Sequence, residues 1–140
     1  MDSQRFFADV ATRLRCDARR AEGLTLAVFR ELRVRLTPKE AGDVAAQLPI
    51  GLKRLWEHEF DAPDRSIVRT HRAEFVGRVR KSAGLPDDAE AERAVRAVFG
   101  ELQQVLGSPT GLEGEAWDVF SQLPKDLKQL WVAAAQAQER

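Results

Sequence analysis

A ten-residue phrase is written twice in this chain: QLPIGLKRLW at residues 47–56 and QLPKDLKQLW at 122–131. No other feature limits the fold as tightly. Setting residues 40–56 beside 115–131 gives identity at eleven of seventeen positions: Glu, Ala, Asp, Val, Gln, Leu, Pro, Leu, Lys, Leu and Trp. The match extends upstream, where Val28, Phe29, Glu31, Leu32 and Leu36 fall on Val98, Phe99, Glu101, Leu102 and Leu106, and Phe6 and Val10 fall on Phe75 and Val79. Two length changes are needed, one residue before the second helix and five around GSPTG at 107–111. Both fall in loop-like stretches, where insertions into a duplicated helical unit cost least.

The repeated phrase reads as a corner between helices. Proline lacks a backbone donor and disfavours a helical residue before it, so Leu48-Pro49 and Leu123-Pro124 end one helix, and the fixed φ of proline suits the first turn of the next. After the corner Leu52, Leu55 and Trp56, like Leu127, Leu130 and Trp131, stand three and four residues apart on one face, which folds the last helix back onto its unit. Ile50-Gly51 and Lys125-Asp126 differ between the copies, and the positions read as surface.

Each copy divides into four helices. The first spans about residues 3–15, with Phe6, Phe7, Val10 and Leu14 as its stripe, and its counterpart spans 73–83 and stops at Gly84. The second spans about 21–36 and again 89–106, and the apolar residues Leu26, Phe29, Leu32, Leu36 and Val95, Val98, Phe99, Leu102, Leu106 mark the buried face. The third opens at Thr37-Pro38-Lys39-Glu40, a capping box with proline at the first helical position, and Thr110 to Glu113 offers a similar box in the second copy. The predicted fold is therefore all-α, a tandem duplication of a four-helix unit forming a helical bundle. Residues 1–57 make the first repeat, 58–72 a docked linker with Phe60, Ile67 and Val68 able to pack, and 73–140 the second repeat. The two are expected to share or abut cores through Trp56 and Trp131.

Composition narrows the functional classes. Basic and acidic residues balance at 22 each, so the whole chain has no net field to draw in nucleic acid or an anionic membrane. Cys16 is the sole cysteine, which leaves no disulfide framework and fits a reducing cytoplasm. The opening residues lack a signal-peptide core, and nowhere do eighteen apolar residues run together, so no membrane association is expected.

With the repeat in view, the chain resembles the bacterial domain of unknown function 2267 family. The resemblance rests on Phe75-Val76-x-x-Val79, on the acidic start of the second helix at residues 87–92, and on Glu40-Ala41-x-Asp43-Val44 leading into Gln47-Leu48-Pro49 and Leu55-Trp56. It covers nearly the whole chain in tandem and implies an all-helical bacterial protein without an established activity. No catalytic residue is carried over. The first copy departs from the pattern at Arg15-Cys16, which stands where the second has Gly84-Leu85.

Candidate chemistry is sparse. Arg13, Arg15, Arg19, Arg20, Arg30, Arg33 and Arg35 cluster in the first copy, where the counterparts of the last three are Gly100, Gln103 and Val105. Arg30 and Arg33 share a helix face and are the candidates for phosphate contacts, though pairing with Asp9, Asp17, Glu22 and Glu31 on a solvated face is the favoured reading. The run DDAEAE at 87–92 reads as helix capping in place of a metal site. His58 and His71 lack metal-ligand spacing, and Cys16 has no sequence-local base, so no metal, cofactor or catalytic residue is predicted. Trp117, whose counterpart is Gly42, is either covered by the GSPTG loop, the favoured reading, or an exposed aromatic anchor and the leading partner-surface residue. The function expected is a non-enzymatic module that binds a protein partner. The alternatives are a nucleic-acid-associated protein using Arg30 and Arg33, and a small-ligand carrier with a pocket between the repeats.

Overall fold

The structure is a computed structural model that describes residues 3–58, 71–108 and 110–138. Among these residues there are eight helices and no strand: α1 Ser3–Leu14, α2 Ala18–Arg33, α3 Pro38–Gln47, α4 Ile50–Glu57, α5 Arg72–Ala83, α6 Asp88–Val105, α7 Gly114–Ser121 and α8 Lys125–Gln138. The protein is all-α, as its periodicity predicts. Residues 59–70, most of the predicted linker, lie outside the described residues, as does Pro109 of the GSPTG loop.

Both proline corners form. α3 ends at Gln47, Leu48 turns extended at ψ 142°, and Pro49 becomes the N-cap of α4, its carbonyl accepting the Lys53 N–H at 2.8 Å. Pro124 likewise accepts from Lys128 N at 2.9 Å ahead of α8. Proline therefore sits one residue earlier than predicted, outside the helix, where its missing donor leaves nothing unsatisfied. Past each corner the indole is buried, Trp56 at 2% exposure and Trp131 at 0%.

Those indoles complete two matching aromatic runs. In the first half Phe6 meets Phe29 and Phe29 meets Trp56 with centroids 6.1 and 5.2 Å apart; in the second Phe75 meets Phe99 and Phe99 meets Trp131 at 5.8 and 5.0 Å. Such tilted and edge-on pairs add specific attraction to the area they bury. Each indole thus packs inside its own half. The seam between halves is made instead by α1 and α2 against α5 and α6, and the buried side chains of both halves form one continuous cluster.

The loops show where the two copies part. α1 stops at Leu14 because Arg15 takes a left-handed φ of 54°, and Cys16 N–H bonds back to Ala11 O at 3.1 Å. In the second half Gly84, at φ 65°, makes the same closure with Leu85 N–H on Arg80 O at 2.9 Å. α2 begins three residues before the predicted start, since Asp17 caps it through the Arg20 N–H at 2.7 Å. The box predicted at Thr110 to Glu113 is a turn ahead of α7 and not its cap: the Thr110 hydroxyl meets Glu113 Oε1 at 3.2 Å, and Glu113 caps without a side-chain bond.

Positions 50–51 and 125–126 are not the indifferent surface that their variation suggests. A Cβ on Gly51 would stand 2.7 Å from Ser3 Cβ, so glycine there admits the start of α1. At the matching place Asp126 reaches the start of α5, its carboxylate accepting the Arg72 N–H at 2.9 Å and its own neighbour Leu127 N–H at 2.9 Å. The first residues of α4 and α8 thus meet the first residues of α1 and α5 in two chemically different ways.

A candidate acidic site and an exposed aromatic face

Three places attract chemical attention, and the arginine cluster is the first. Arg33 turns inward and donates from Nη1 to Trp56 O at 2.9 Å, holding a carbonyl at the C-terminal end of α4. Arg35 is 1% exposed, bonds through Nη1 to Glu31 O, and lies 4.7 Å above the centre of the Phe75 ring. Its Nε and Nη2 have no hydrogen-bond partner, and burial pushes its pKa down from the ordinary arginine value. Arg13 pairs with Glu101 across the seam at 2.8 Å, and burial raises the Glu101 carboxyl despite that partner. The favoured reading, a solvated face paired with Asp9, Asp17, Glu22 and Glu31, describes these arginines only in part: Arg35 is buried and bonds Glu31, Arg30 and Arg33 are half-buried, and Arg13 pairs with Glu101 of the other half.

The residues weighed for other chemistry have structural work. Asp87 caps α6 through the Glu90 N–H at 2.9 Å, Asp88 meets Arg80 Nε at 3.1 Å, and Glu92 pairs with Arg72, so the DDAEAE run does cap. His71 sits 3.4 Å from Asp126 at the surface and His58 is exposed after α4. Cys16 is half-buried, with a pKa raised by desolvation, which keeps it a thiol.

The second place is Trp117. The GSPTG loop does not cover it, contrary to the favoured prediction: Trp117 is 48% exposed. The loop closes instead over the other tryptophan of its half, where Gly111 O accepts from Trp131 Nε1 at 2.6 Å and Gln103 Nε2 donates to Trp131 O at 2.9 Å. In the first half, which has no insertion, Trp56 Nε1 uses Ala41 O of α3 at 3.0 Å. Trp117 rests on Phe120, one turn further along α7, with ring centroids 5.3 Å apart. Phe120 in turn borders a cleft of about 390 Å³ between α7 and α8, completed by Lys125, Lys128, Gln129, Val132 and Ala133. Lys128 Nζ stands 5.4 Å over the Phe120 ring. A second, more polar cleft of about 390 Å³ lies among α5, α6 and the start of α8, beside Arg72, Val76, Asp88 and Glu92. Both of these clefts belong to the second half; neither is the pocket between the repeats that the small-ligand alternative would use.

The third place was not read from the sequence. α3 packs against α7, and there Glu40 and Asp43 meet Glu115, one carboxylate oxygen of each lying within 4.8 Å of the others. Glu40 is 5% exposed. Oε1 of Glu40 and Oε1 of Glu115 are both buried without a hydrogen-bond partner. The predicted capping box is only half made: Thr37 accepts from the Glu40 N–H at 3.1 Å, but the Thr37 N–H goes to Gln122 Oε1 of the other half at 2.9 Å. Desolvation first, and then Glu115, Asp118 and Asp43, push the Glu40 carboxyl up to about 8. Lys39 pairs with Asp43 at 2.9 Å on the surface.

Glu40 and Asp43 correspond to Glu115 and Asp118 in the repeat, so the cluster joins equivalent residues of the two copies. Identity of Glu and Asp three apart in both copies was the available signal. A Glu that begins a helix after Thr-Pro has a sufficient local explanation as a cap, and nothing local says that the two copies meet face to face.

The profile of a family described as uncharacterized conserved protein (DUF2267) matches residues 3–130. No curated protein matches the chain. Among the described residues no helix is long and apolar enough to cross a membrane.

Proposed function

The chain belongs to the DUF2267 family, a membership that assigns no chemistry, and from its exposed aromatic face we propose that it is a non-enzymatic module that binds an acidic, amphipathic helical segment of a protein partner. The observation that carries this reading is the Trp117 indole, 48% exposed and stacked on Phe120 at the mouth of the α7–α8 cleft. Tryptophan and phenylalanine side by side supply the large apolar area at low rotamer cost that marks binding hot spots. Val132 and Ala133 extend the apolar floor, and Lys125 and Lys128 stand on its border. That arrangement complements a helix with apolar residues on one face and carboxylates beside them.

The test is selection of the intact protein against a displayed library of amphipathic helical peptides, followed by anisotropy titration of the enriched sequences. Peptides rich in Asp and Glu are expected to emerge, and Trp117→Ala is expected to weaken them roughly tenfold or more while leaving the melting temperature unchanged. Enrichment of basic peptides, or equal binding by Trp117→Ala, overturns the reading.

A further inference from the structure

We propose that Glu40, Asp43 and Glu115, with Asp118 at the rim, form a binding site for one hard divalent cation, of the calcium class, held between α3 and α7. The proposal stands independently of the Trp117 face. Its first support is the meeting of Glu40 and Asp43 of α3 with Glu115 of α7, carboxylate oxygens of all three lying within 4.8 Å, while Asp118 stands three residues beyond Glu115. Residues three apart lie on the same helix face, so a Glu-x-x-Asp pair offers two oxygens in one direction. Two such faces opposed across the seam bring three carboxylates together, with the charge of Asp118 felt beside them.

The second support is independent of that count. Glu40 is 5% exposed, and neither its Oε1 nor Glu115 Oε1, both buried, has a hydrogen-bond partner. Buried carboxylate oxygens are ordinarily bonded or paired. The backbone N–H that a capping glutamate would take is occupied by Gln122, which leaves the Glu40 carboxylate available to a ligand. Lys39 pairs directly with Asp43 from outside and, among the described residues, no ion pair to Glu40 or Glu115 is seen.

The donor set chooses the ion. It contains carboxylate oxygen and neither imidazole nor thiolate, which excludes the preferences of zinc and copper and suits calcium, magnesium or manganese. Calcium–oxygen distances of about 2.3–2.6 Å put opposed ligands about 4.6–5.2 Å apart, whereas magnesium requires about 4.0–4.2 Å and strict octahedral geometry. Ligand oxygens all within 4.8 Å of one another, on two helices that cannot close independently of their cores, suit the ion with the looser geometry. Asp43 and Asp118 are the more accessible members and mark the route from solvent.

The experiment uses the whole chain, freed of metal by chelation. Mn²⁺ is titrated and followed by the loss of its free-ion EPR signal, and Ca²⁺ is added by calorimetry with Mg²⁺ as the comparison. Expected are one Mn²⁺ per chain displaced by Ca²⁺, and roughly tenfold or greater weakening in Glu40→Gln and in Glu115→Gln, since loss of even an outer-shell partner commonly costs that much. Both substitutions keep shape and remove like-charge repulsion, so a folded variant is expected, and far-UV circular dichroism verifies it. Asp43→Asn, at a half-exposed position, gives a second and milder test with a smaller expected loss. Absence of saturable binding by the unaltered protein overturns the proposal, as does undiminished binding by Glu40→Gln/Glu115→Gln. A metal-free chain whose stability responds to pH but not to Ca²⁺ overturns it too, and identifies the pair as two carboxyls sharing a proton.

Discussion

Arg15 occupies a backbone state that Gly84 occupies at the matching place, with φ of 54° and 65°. A side chain in that region crowds the following carbonyl, at a cost of about 1 kcal/mol that glycine does not incur. Arg15 is exposed, so Arg15→Gly is expected to raise the unfolding free energy by about 0.5–1 kcal/mol, read from the urea midpoint. The reverse holds at Gly111. Its φ is 75°, and a Cβ there would lie 2.8 Å from the Gln103 amide and 2.9 Å from Trp131 Nε1, so Gly111→Ala is expected to cost about 2–3 kcal/mol in the same assay. At this scale the sequence was only partly legible. Gly84 announces a helix stop by its type, whereas Arg15 makes the same stop with no residue signature. Trp117 was legible as an odd aromatic without a counterpart, but its exposure depends on which tryptophan the neighbouring loop chooses, and that is decided by the buried Trp131 N–H needing Gly111 O.

The helices themselves were legible because the apolar stripe repeats at helical spacing and proline marks the corners. What the pattern could not supply is which helix end meets which. Asp126 looked like variable surface, yet it caps the start of α5, where the N-cap His71 gives no side-chain bond. The N–H groups of Arg72 and Leu127 hold its carboxyl below the ordinary aspartate value, outweighing desolvation, the largest single influence and one that raises it. Asp126→Ala is therefore expected to lower stability by about 1 kcal/mol and to speed amide hydrogen exchange in the first turn of α5 more than elsewhere. Gln122 at the end of α7 takes the equivalent part for α3 by accepting from Thr37 N. Both contacts span more than fifty residues of chain, a distance over which local propensity carries no information.

At the scale of the molecule, the acidic cluster exists only because two equivalent helix faces are opposed. The repeated Glu-Ala-x-Asp-Val was plain in the sequence, but its chemistry arises from the seam. A folded-state value of about 8 for Glu40, against 4.5 ordinarily, means that the folded chain holds an extra proton between those limits. The stability contributed is complete below the lower value and is lost as pH rises through the upper one, with Glu115, Asp118 and Asp43 opposing ionisation and Lys39 the nearby cation. The metal-free chain is thus expected to be less stable at about pH 8.5 than at about pH 5.5 by a few kcal/mol at most, and Glu40→Gln to flatten that slope, as measured by chemical denaturation across pH. The Arg35 guanidinium, sealed beneath the Phe75 ring of the opposite half, has one more implication. A gene truncated after the first copy would leave that cation without its lid and strip α2 of its neighbour, so the isolated fragment should clump or stay unravelled. Each half thus shelters the other, and neither is expected to stand alone.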